Sequence, residues 1–596
     1  MQVHDVVVIG SGAGGGTVTK VLADLGISVL LMEAGPMLSM SDLKEHMLPH
    51  HIPHRGAGPK GEAYSGRPTG FTYSATFGGA QLEGEPYTVA PGSDFSWFRS
   101  RILGGRTNHY GRVTLRFADY DFMGRSIDGL GFDWPITYAD LAPYYDKAEA
   151  FIGVVGTVEN IRSAPDGIFH TPAALRAHDT LVQRSCAKLG IRAVPARQAV
   201  ITKATNGRPP CHYCGQCGRG CMTASNYASS YVQIFPAMKT GRVQVLANAM
   251  ARELLTDDSG RVTAVSYVDK ATGSERQVRC RTVVLAASAC ESARLLLNSK
   301  SSRHPQGLAN ASGMVGRYLM DTVGSSLSAF VPALSGMPHY NSDGYGNHVY
   351  VPWWGWEKQK ALGFPRGYHI EVGGGYGMPG IGSFTGIVNR TEGYGVRMKQ
   401  AIRDEYGTSI GLSGRGEMIP NDKSFCEIDP DVKDRWGIPV LRFHWAWSDH
   451  ELDQVRHMQE TFRAILEGMG GQFATNAGGR GRGNAAAGNT SPANPATAST
   501  PNLNPPGGHT APASPPRPPI SRGGAIIHEV GTVRMGNDPK TSPLNKYCQG
   551  HDVKNLFVAD GAPFVSNPDK NPTHTIVALA WRTAEYLAEE MRKGNV

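Results

Sequence analysis

Residues 3–35 read "VHDVVVIGSGAGGGTVTKVLADLGISVLLMEAG", and this stretch decides the class of fold. The apolar run Val6–Ile9 is a short buried strand, Val18, Leu22 and Leu25 recur at helical spacing, and Val29–Met32 is a second strand. Strand, glycine turn, helix and strand in that order open a Rossmann-like α/β domain. Gly10, Gly12 and Gly15 satisfy G-x-G-x-x-G. The first permits a tight turn, the second lets the backbone approach a pyrophosphate, and the third lets helix and strand pack closely. The helix start offers unpaired N–H groups to the phosphates. Glu33 closes the second strand about 20 residues on, where an acid accepts a hydrogen bond from a ribose hydroxyl. With all four features in register, the stretch predicts a bound dinucleotide, FAD or NAD.

The chain has 596 residues, more than one hydrophobic core usually supports, so two or more domains are expected. Lys and Arg total 59 against 51 Asp and Glu, with no contiguous basic block, which argues against nucleic acid as a partner. No apolar run approaches the ~20 residues of a transmembrane helix. A strand pattern begins by Val6, leaving no room for a cleavable export signal. No export signal of its own is therefore expected, and a folded chain can still be exported bound to a signal-bearing partner. Further strands and a helix are expected in "RVQVLANAMARELLTDDSGRVTAVSYVD" and "RTVVLAASACESARLLLNS", and a late strand in "NLFVADGAPF". Ser448 with Glu451 forms a capping box before an amphipathic helix whose stripe includes Val455, Met458, Phe462 and Ile465. Residues 476–520 are rich in Gly, Pro, Ala, Ser and Asn, with Leu503 the one large aliphatic residue before Pro519. Such a segment has nothing to offset the entropy of ordering, so a disordered insertion is expected.

"PCHYCGQCGRGCM" (210–222) puts four of the chain's nine cysteines, Cys211, Cys214, Cys217 and Cys221, into one loop. The spacing C-x2-C-x2-C-x3-C matches the run that surrounds iron–sulfur clusters in bacterial ferredoxins, although Met222 replaces the usual proline. Structural zinc, with His212 as a further ligand, and disulfides remain the alternatives. The other five cysteines are scattered, which favours buried thiols over a disulfide framework.

"RILGGRTNHYGRVTLRF" (101–117), "HEVGTVRMG" (528–536) and "NLFVADGAPFVSNPDKNPTHTIVALAWRTAEYL" (555–587), taken with the N-terminal fingerprint, resemble the glucose–methanol–choline (GMC) oxidoreductases from end to end. The resemblance implies FAD and a discontinuous FAD-binding domain of the p-hydroxybenzoate-hydroxylase type, with a substrate domain on an antiparallel sheet, an α/β plus α+β architecture. The implied division is FAD-binding at 1–120, substrate or cap segments at 121–200, and FAD-binding at 201–310, which includes the cysteine loop 211–221. Substrate-binding residues 311–475 follow, then the insertion, then the catalytic and FAD-binding segment 521–596. By the same resemblance, Gly104 and Gly105 pass close to the isoalloxazine, Asn108 and His109 follow, and Asp560 and Gly561 approach the phosphates and ribityl chain. A histidine at the place of His109 carries the flavin covalently in fungal pyranose oxidases and contacts it without a bond in many bacterial relatives; both readings stand.

Alcohol oxidation needs a base for the hydroxyl proton, and neutral imidazole suits that task. The resemblance makes His528 the base and Asn571 the hydrogen-bonding anchor of the substrate oxygen. Asn571 and Pro572 also read as the N-cap and first residue of a long helix, with His574 in its first turn as a cofactor-proximal or packing histidine. A bacterial branch of the family holds a [3Fe–4S] cluster with C-x5-C-x3-C, the spacing of Cys211, Cys217 and Cys221; Cys214 is then a fourth ligand of a [4Fe–4S] cluster or a bystander. That branch implies a sugar dehydrogenase, glucoside 3-dehydrogenase being the nearest reading and gluconate, glucose and fructose dehydrogenases its competitors. Electrons would pass through the cluster to a cytochrome c-type acceptor, and a small chaperone-like subunit would bear the export signal. An oxygen-using pyranose oxidase with a structural metal in the cysteine loop is the alternative.

Overall fold

A computed structural model of the chain describes residues 2–39, 78–214, 217, 220–338, 347–375, 384, 387–388, 391–473 and 519–596. The expected insertion lies outside the described residues except for Pro519 and Ile520.

The strand Val3–Ile9 sits at the centre of a seven-stranded sheet. It runs parallel to Val29–Met32 on one side and to the second half of Ser274–Leu285 on the other. Val243–Leu246 and Leu556–Val558 extend this parallel core on either flank. Its strands are near-continuous apolar runs because both faces are covered; Val6, Val7, Val8, Val283 and Val284 are fully buried. Ser274–Leu285 changes character along its length. Its exposed first half pairs antiparallel with Val262–Asp269, which in turn pairs with Ala249–Thr256.

The first helix, Ala13–Asp24, packs on the last, Thr573–Lys593. Val18, Val21 and Leu22 meet Ala580, Ala584 and Leu587 in one apolar cluster. The end of the chain is thereby drawn back onto the glycine turn at its beginning.

A second sheet is antiparallel throughout, in the order Val323–Phe330, Ser409–Gly416, Tyr368–Gly374, Val349–Val351, Val194–Pro195. The helix Asp449–Gly468 covers one face with Val455, Met458, Phe462 and Ile465, and the predicted box at its start is formed by Ser448 and Glu451. Alternation along Tyr368–Gly374 then sorts the side chains. The Tyr368 hydroxyl pairs with Nδ1 of His457 on the covering helix at 2.8 Å, while Glu371 and Gly373 line the cavity on the other face.

Candidate active site

Between the two sheets lies a cavity of about 920 Å³. Gly10 and Gly12 of the glycine turn and Glu33 at the end of the second strand line it. Gly10 has φ +98°, and a Cβ there would lie 2.3 Å from the Ala286 carbonyl oxygen, so only glycine fits. A Cβ at Gly15 would lie 1.9 Å from the Gly10 oxygen, which holds the helix tight against the turn. A Cβ on Gly12, by contrast, would meet no protein atom within 4 Å: the space beside it is open to a ligand. Glu33 is buried and accepts from the Gly35 N–H at 2.8 Å and from the Ser11 hydroxyl. Burial raises its pKa, against the pull of Ser11, Gly35 and Arg101. These residues fit a dinucleotide with its ribose at Glu33 and its pyrophosphate along Gly10–Gly12.

Gly105, His109, Asp560 and Gly561 also line the cavity. Asp560 accepts from the Ser288 N–H at 3.0 Å, the Ser292 hydroxyl at 2.6 Å and the Ala562 N–H at 2.8 Å, which ties the late strand to the turn after Ser274–Leu285. Both ring nitrogens of buried His109 lack a protein partner; burial, aided by Arg112 and Arg106, lowers its pKa to about 3. Gly104 and Asn108 stand behind the lining. The Asn108 amide donates to the carbonyls of Leu103 and Gly105, each at 3.0 Å, and so holds the loop in shape. His574 is fully buried and pairs with Glu149 at 3.1 Å, away from the cavity wall.

His528 and Asn571 line the cavity together, with Asn571 Nδ2 3.4 Å from His528 Nε2. His528 Nδ1 lies 2.9 Å from the Thr322 hydroxyl. The backbone that presents His528 is strained: Ile527 has φ +66°, rare for a β-branched residue and sustained only where the surroundings over-determine it. Asp321 supplies that constraint, accepting from the N–H groups of Ile526 at 3.2 Å and His528 at 2.9 Å, while Arg106 donates to the Ile527 carbonyl at 3.3 Å. The Arg106 guanidinium is paired with Glu529. Burial, reinforced by Arg415, lowers the His528 pKa to about 3, so the imidazole is neutral and able to take a proton.

The sequence places Asn571 at the N-cap of the last helix; the structure corrects this. The helix begins at Thr573, Pro572 occupies the capping position, and no side chain caps it. The Asn571 amide is drawn instead to the antiparallel sheet, where Nδ2 donates to Glu371 Oε1 at 3.1 Å.

Residues 30–327 and 420–580 match the GMC oxidoreductase family. The chain is 30% identical to 2-methyl-1,2-propanediol dehydrogenase of Mycolicibacterium austroafricanum, over 98% of this chain and 95% of the relative. This chain belongs to the GMC oxidoreductases. It is also 26% identical to the fructose dehydrogenase large subunit of Gluconobacter japonicus, over 99% and 98% of the two chains. The fold is shared with pyridoxine 4-oxidase from Mesorbium loti at a TM-score of 0.59, with 15% identity and coverage of 98% and 99%. As a GMC oxidoreductase the chain uses FAD and oxidises CH–OH groups.

In this GMC oxidoreductase the cysteine loop adjoins the cavity. Cys221 packs in one apolar cluster with Tyr110 and with Ala13 of the glycine turn, and Tyr110 and Ala13 themselves line the cavity. Arg112 Nη2 donates both to the Asn108 carbonyl at 3.2 Å and to the Cys217 carbonyl at 3.4 Å. Burial pushes the Cys211 thiol up to about 12, with Cys217, Cys221 and Cys214 adding to the rise. No disulfide joins them, and among the described residues no three metal-binding side chains converge as they would around one ion.

Sequence reasoning missed Glu371, Arg415, Thr322, Asp321 and Arg112. Glu371 carried a signal: His369 and Glu371 alternate with Tyr368, Ile370 and Val372, so a strand with one apolar face turns two ionisable groups to the other.

Proposed function

We propose that this GMC oxidoreductase is a dehydrogenase that oxidises a sugar or glycoside at a secondary ring hydroxyl such as C3. We propose further that its electrons leave through an iron–sulfur cluster in the 211–221 loop to a c-type cytochrome. The observation that carries the second part is the shared guanidinium: Arg112 holds the Cys217 carbonyl and the Asn108 carbonyl, next to His109, with one nitrogen. Cys211, Cys217 and Cys221 would hold a [3Fe–4S] cluster, with Cys214 as the fourth ligand of a [4Fe–4S] cluster in the alternative form.

FAD, when bound, accepts hydride from the substrate carbon. His528 takes the hydroxyl proton at Nε2, which lies 3.4 Å from Asn571 Nδ2, while Nδ1 is engaged by Thr322. Asn571 holds the substrate oxygen beside that nitrogen, and Glu371 holds Asn571. Burial keeps the imidazole neutral, so the base is ready without prior deprotonation.

A small branched diol is the second reading, favoured by the 30% identity to a propanediol dehydrogenase. The designation of the fructose dehydrogenase relative as a large subunit supports a partner subunit, and export bound to such a partner would place the enzyme in the periplasm; the cytoplasm is the alternative. Anaerobic flavin bleaching by a panel of sugars, glycosides and 1,2-diols, with iron and acid-labile sulfide analysis, tests these readings. Bleaching by glycosides and stoichiometric iron are expected. Bleaching by diols alone overturns the sugar assignment, and absence of iron overturns the relay.

A further inference from the structure

His528 is held from two sides by partners that differ in what they can do with a proton. Asp321 and Thr322 are the two residues that join the strand Arg317–Met320 to the strand Val323–Phe330, and both are fully buried. Asp321 accepts from the His528 N–H, and Thr322 Oγ1 lies 2.9 Å from ring atom Nδ1. On the other side of the ring, Nε2 lies 3.4 Å from Asn571 Nδ2. A neutral imidazole carries one proton, on one nitrogen or the other. A hydroxyl donates or accepts, so Thr322 suits either arrangement. Asn571 does not.

Glu371 Oε1 accepts from Asn571 Nδ2 at 3.1 Å. Burial pushes the Glu371 carboxyl up, but Arg415, 2.9 Å away, outweighs it together with His369 and Asn571. The group is therefore ionised, and an ionised carboxylate only accepts. The amide nitrogen of Asn571 must point to Glu371, and the same nitrogen then faces His528 with its second hydrogen. An Nε2–H there would set donor against donor. The proton of the neutral ring therefore belongs on Nδ1, where Thr322 accepts it, and Nε2 keeps its lone pair at the cavity that His528 lines. Asn567 Nδ2, 3.5 Å from Thr322 Oγ1, offers that oxygen a second donor.

We propose that Thr322 is a positioning residue for the base. It holds the proton of neutral His528 on Nδ1, in an order set from Glu371 through Asn571, so that Nε2 meets the substrate hydroxyl as an acceptor. This rests on the reading of His528 as the base. As the substrate O–H bond breaks, an Nε2–H bond forms, and the imidazolium keeps its Nδ1–H on Thr322. No exchange of tautomers has to precede the transfer.

The test uses the FAD-bound enzyme with Thr322→Val, Thr322→Ser and Glu371→Gln, beside His528→Ala. Long-range proton–nitrogen NMR of 15N-histidine-labelled protein reads which ring nitrogen holds the proton, the His528 signals being those missing from His528→Ala. Anaerobic stopped-flow with methyl glucoside, and with 1,2-propanediol for the diol reading, gives the limiting rate of flavin reduction and the apparent Kd. Nδ1 is expected to be protonated in the parent and in Thr322→Ser. Thr322→Val should lower the limiting rate by about 10- to 100-fold, the rate equivalent of one buried N–H left without an acceptor, with little change in apparent Kd. Thr322→Ser should recover most of the rate. Glu371→Gln, whose amide can donate to Asn571 Oδ1, should move the proton to Nε2. A proton on Nε2 in the parent overturns the assignment. So does a Thr322→Val enzyme that reduces its flavin at the parental rate, or a Thr322→Ser enzyme as slow as Thr322→Val. A proton that stays on Nδ1 in Glu371→Gln removes Glu371 from the order. Should Thr322→Val fail to fold, the spectra of the parent, Thr322→Ser and Glu371→Gln decide. Parental flavin reduction by His528→Ala overturns the base reading instead, and the tautomer is then judged by its spectrum alone.

Discussion

Glu371 accepts a hydrogen bond from Asn571 Nδ2 at 3.1 Å, across the gap between the antiparallel sheet and the residues before the last helix. Burial pushes the Glu371 carboxyl up, but Arg415, His369 and Asn571 outweigh it and hold the group below the usual carboxylate range. An ionised carboxylate only accepts hydrogen bonds, so the amide nitrogen of Asn571 must face it. That fixes the side chain: Nδ2 serves Glu371 and His528, and Oδ1 is buried without a protein partner. Glu371→Gln removes the constraint and lets the amide turn. The limiting rate of substrate-driven flavin reduction should fall by about 10²-fold, the cost of a misplaced reacting group, with a smaller change in KM. Arg415, 2.9 Å from Glu371, is left without its charge partner, and stability should drop by about 3 kcal/mol. An unchanged limiting rate in stopped-flow experiments would remove Glu371 from the positioning of Asn571.

His528→Ala should retain bound FAD, because among the described residues the ring's hydrogen bonds run to Thr322 and Asn571. Flavin reduction should slow by about 10²–10⁴-fold, the usual contribution of a positioned base. Reduction at the parental rate in the FAD-replete variant would transfer the base role to another group.

Acidification should weaken the fold through His109. Its folded-state pKa is lowered to about 3, chiefly by burial. Above pH 6.5 the ring is neutral in both folded and unfolded chains and contributes nothing to the pH dependence. Between pH 6.5 and 3 the unfolded chain binds a proton that the folded chain refuses, so stability falls by up to about 1.4 kcal/mol per pH unit. Urea unfolding of apoprotein at pH 6 and pH 4.5 should show this loss, and His109→Asn should reduce it by one proton's worth. An identical slope in that variant would mean that His109 is protonated in the folded state. For His528, with its pKa at about 3, no titration of flavin reduction near pH 6.5 is expected.

The parallel core was legible because glycine spacing and buried strands are local signals: Gly10, Gly15 and Val29–Met32 announce themselves within 30 residues. The helix from Asp449 was legible for the same reason, its box and apolar stripe being contiguous. What escaped was long-range pairing. Glu371 meets Asn571 across 200 positions and Thr322 meets His528 across 206, and no local pattern encodes such meetings. The misplaced cap has the same origin: Asn followed by Pro is a good helix start, but a carboxylate 200 residues away competes for the amide. His528 itself became visible through the family motif, since nothing local separates it from the other histidines.

Cys217→Ser tests the electron exit with the least disturbance. The backbone carbonyl that Arg112 holds is kept, and only the sulfur is replaced by an oxygen of similar size. His528, Asn571 and Glu371 lie on other segments of the chain, so substrate should bleach the flavin at the parental rate. Cytochrome c reduction should fall to background, and iron content should drop with it, because a hard hydroxyl is a poor substitute for a thiolate at iron. In the proposed relay, bleaching and cytochrome reduction are two halves of one turnover, and their separation is the informative result. If cytochrome reduction survives in a variant that has lost its iron, the electrons leave directly from the flavin and the loop serves another purpose.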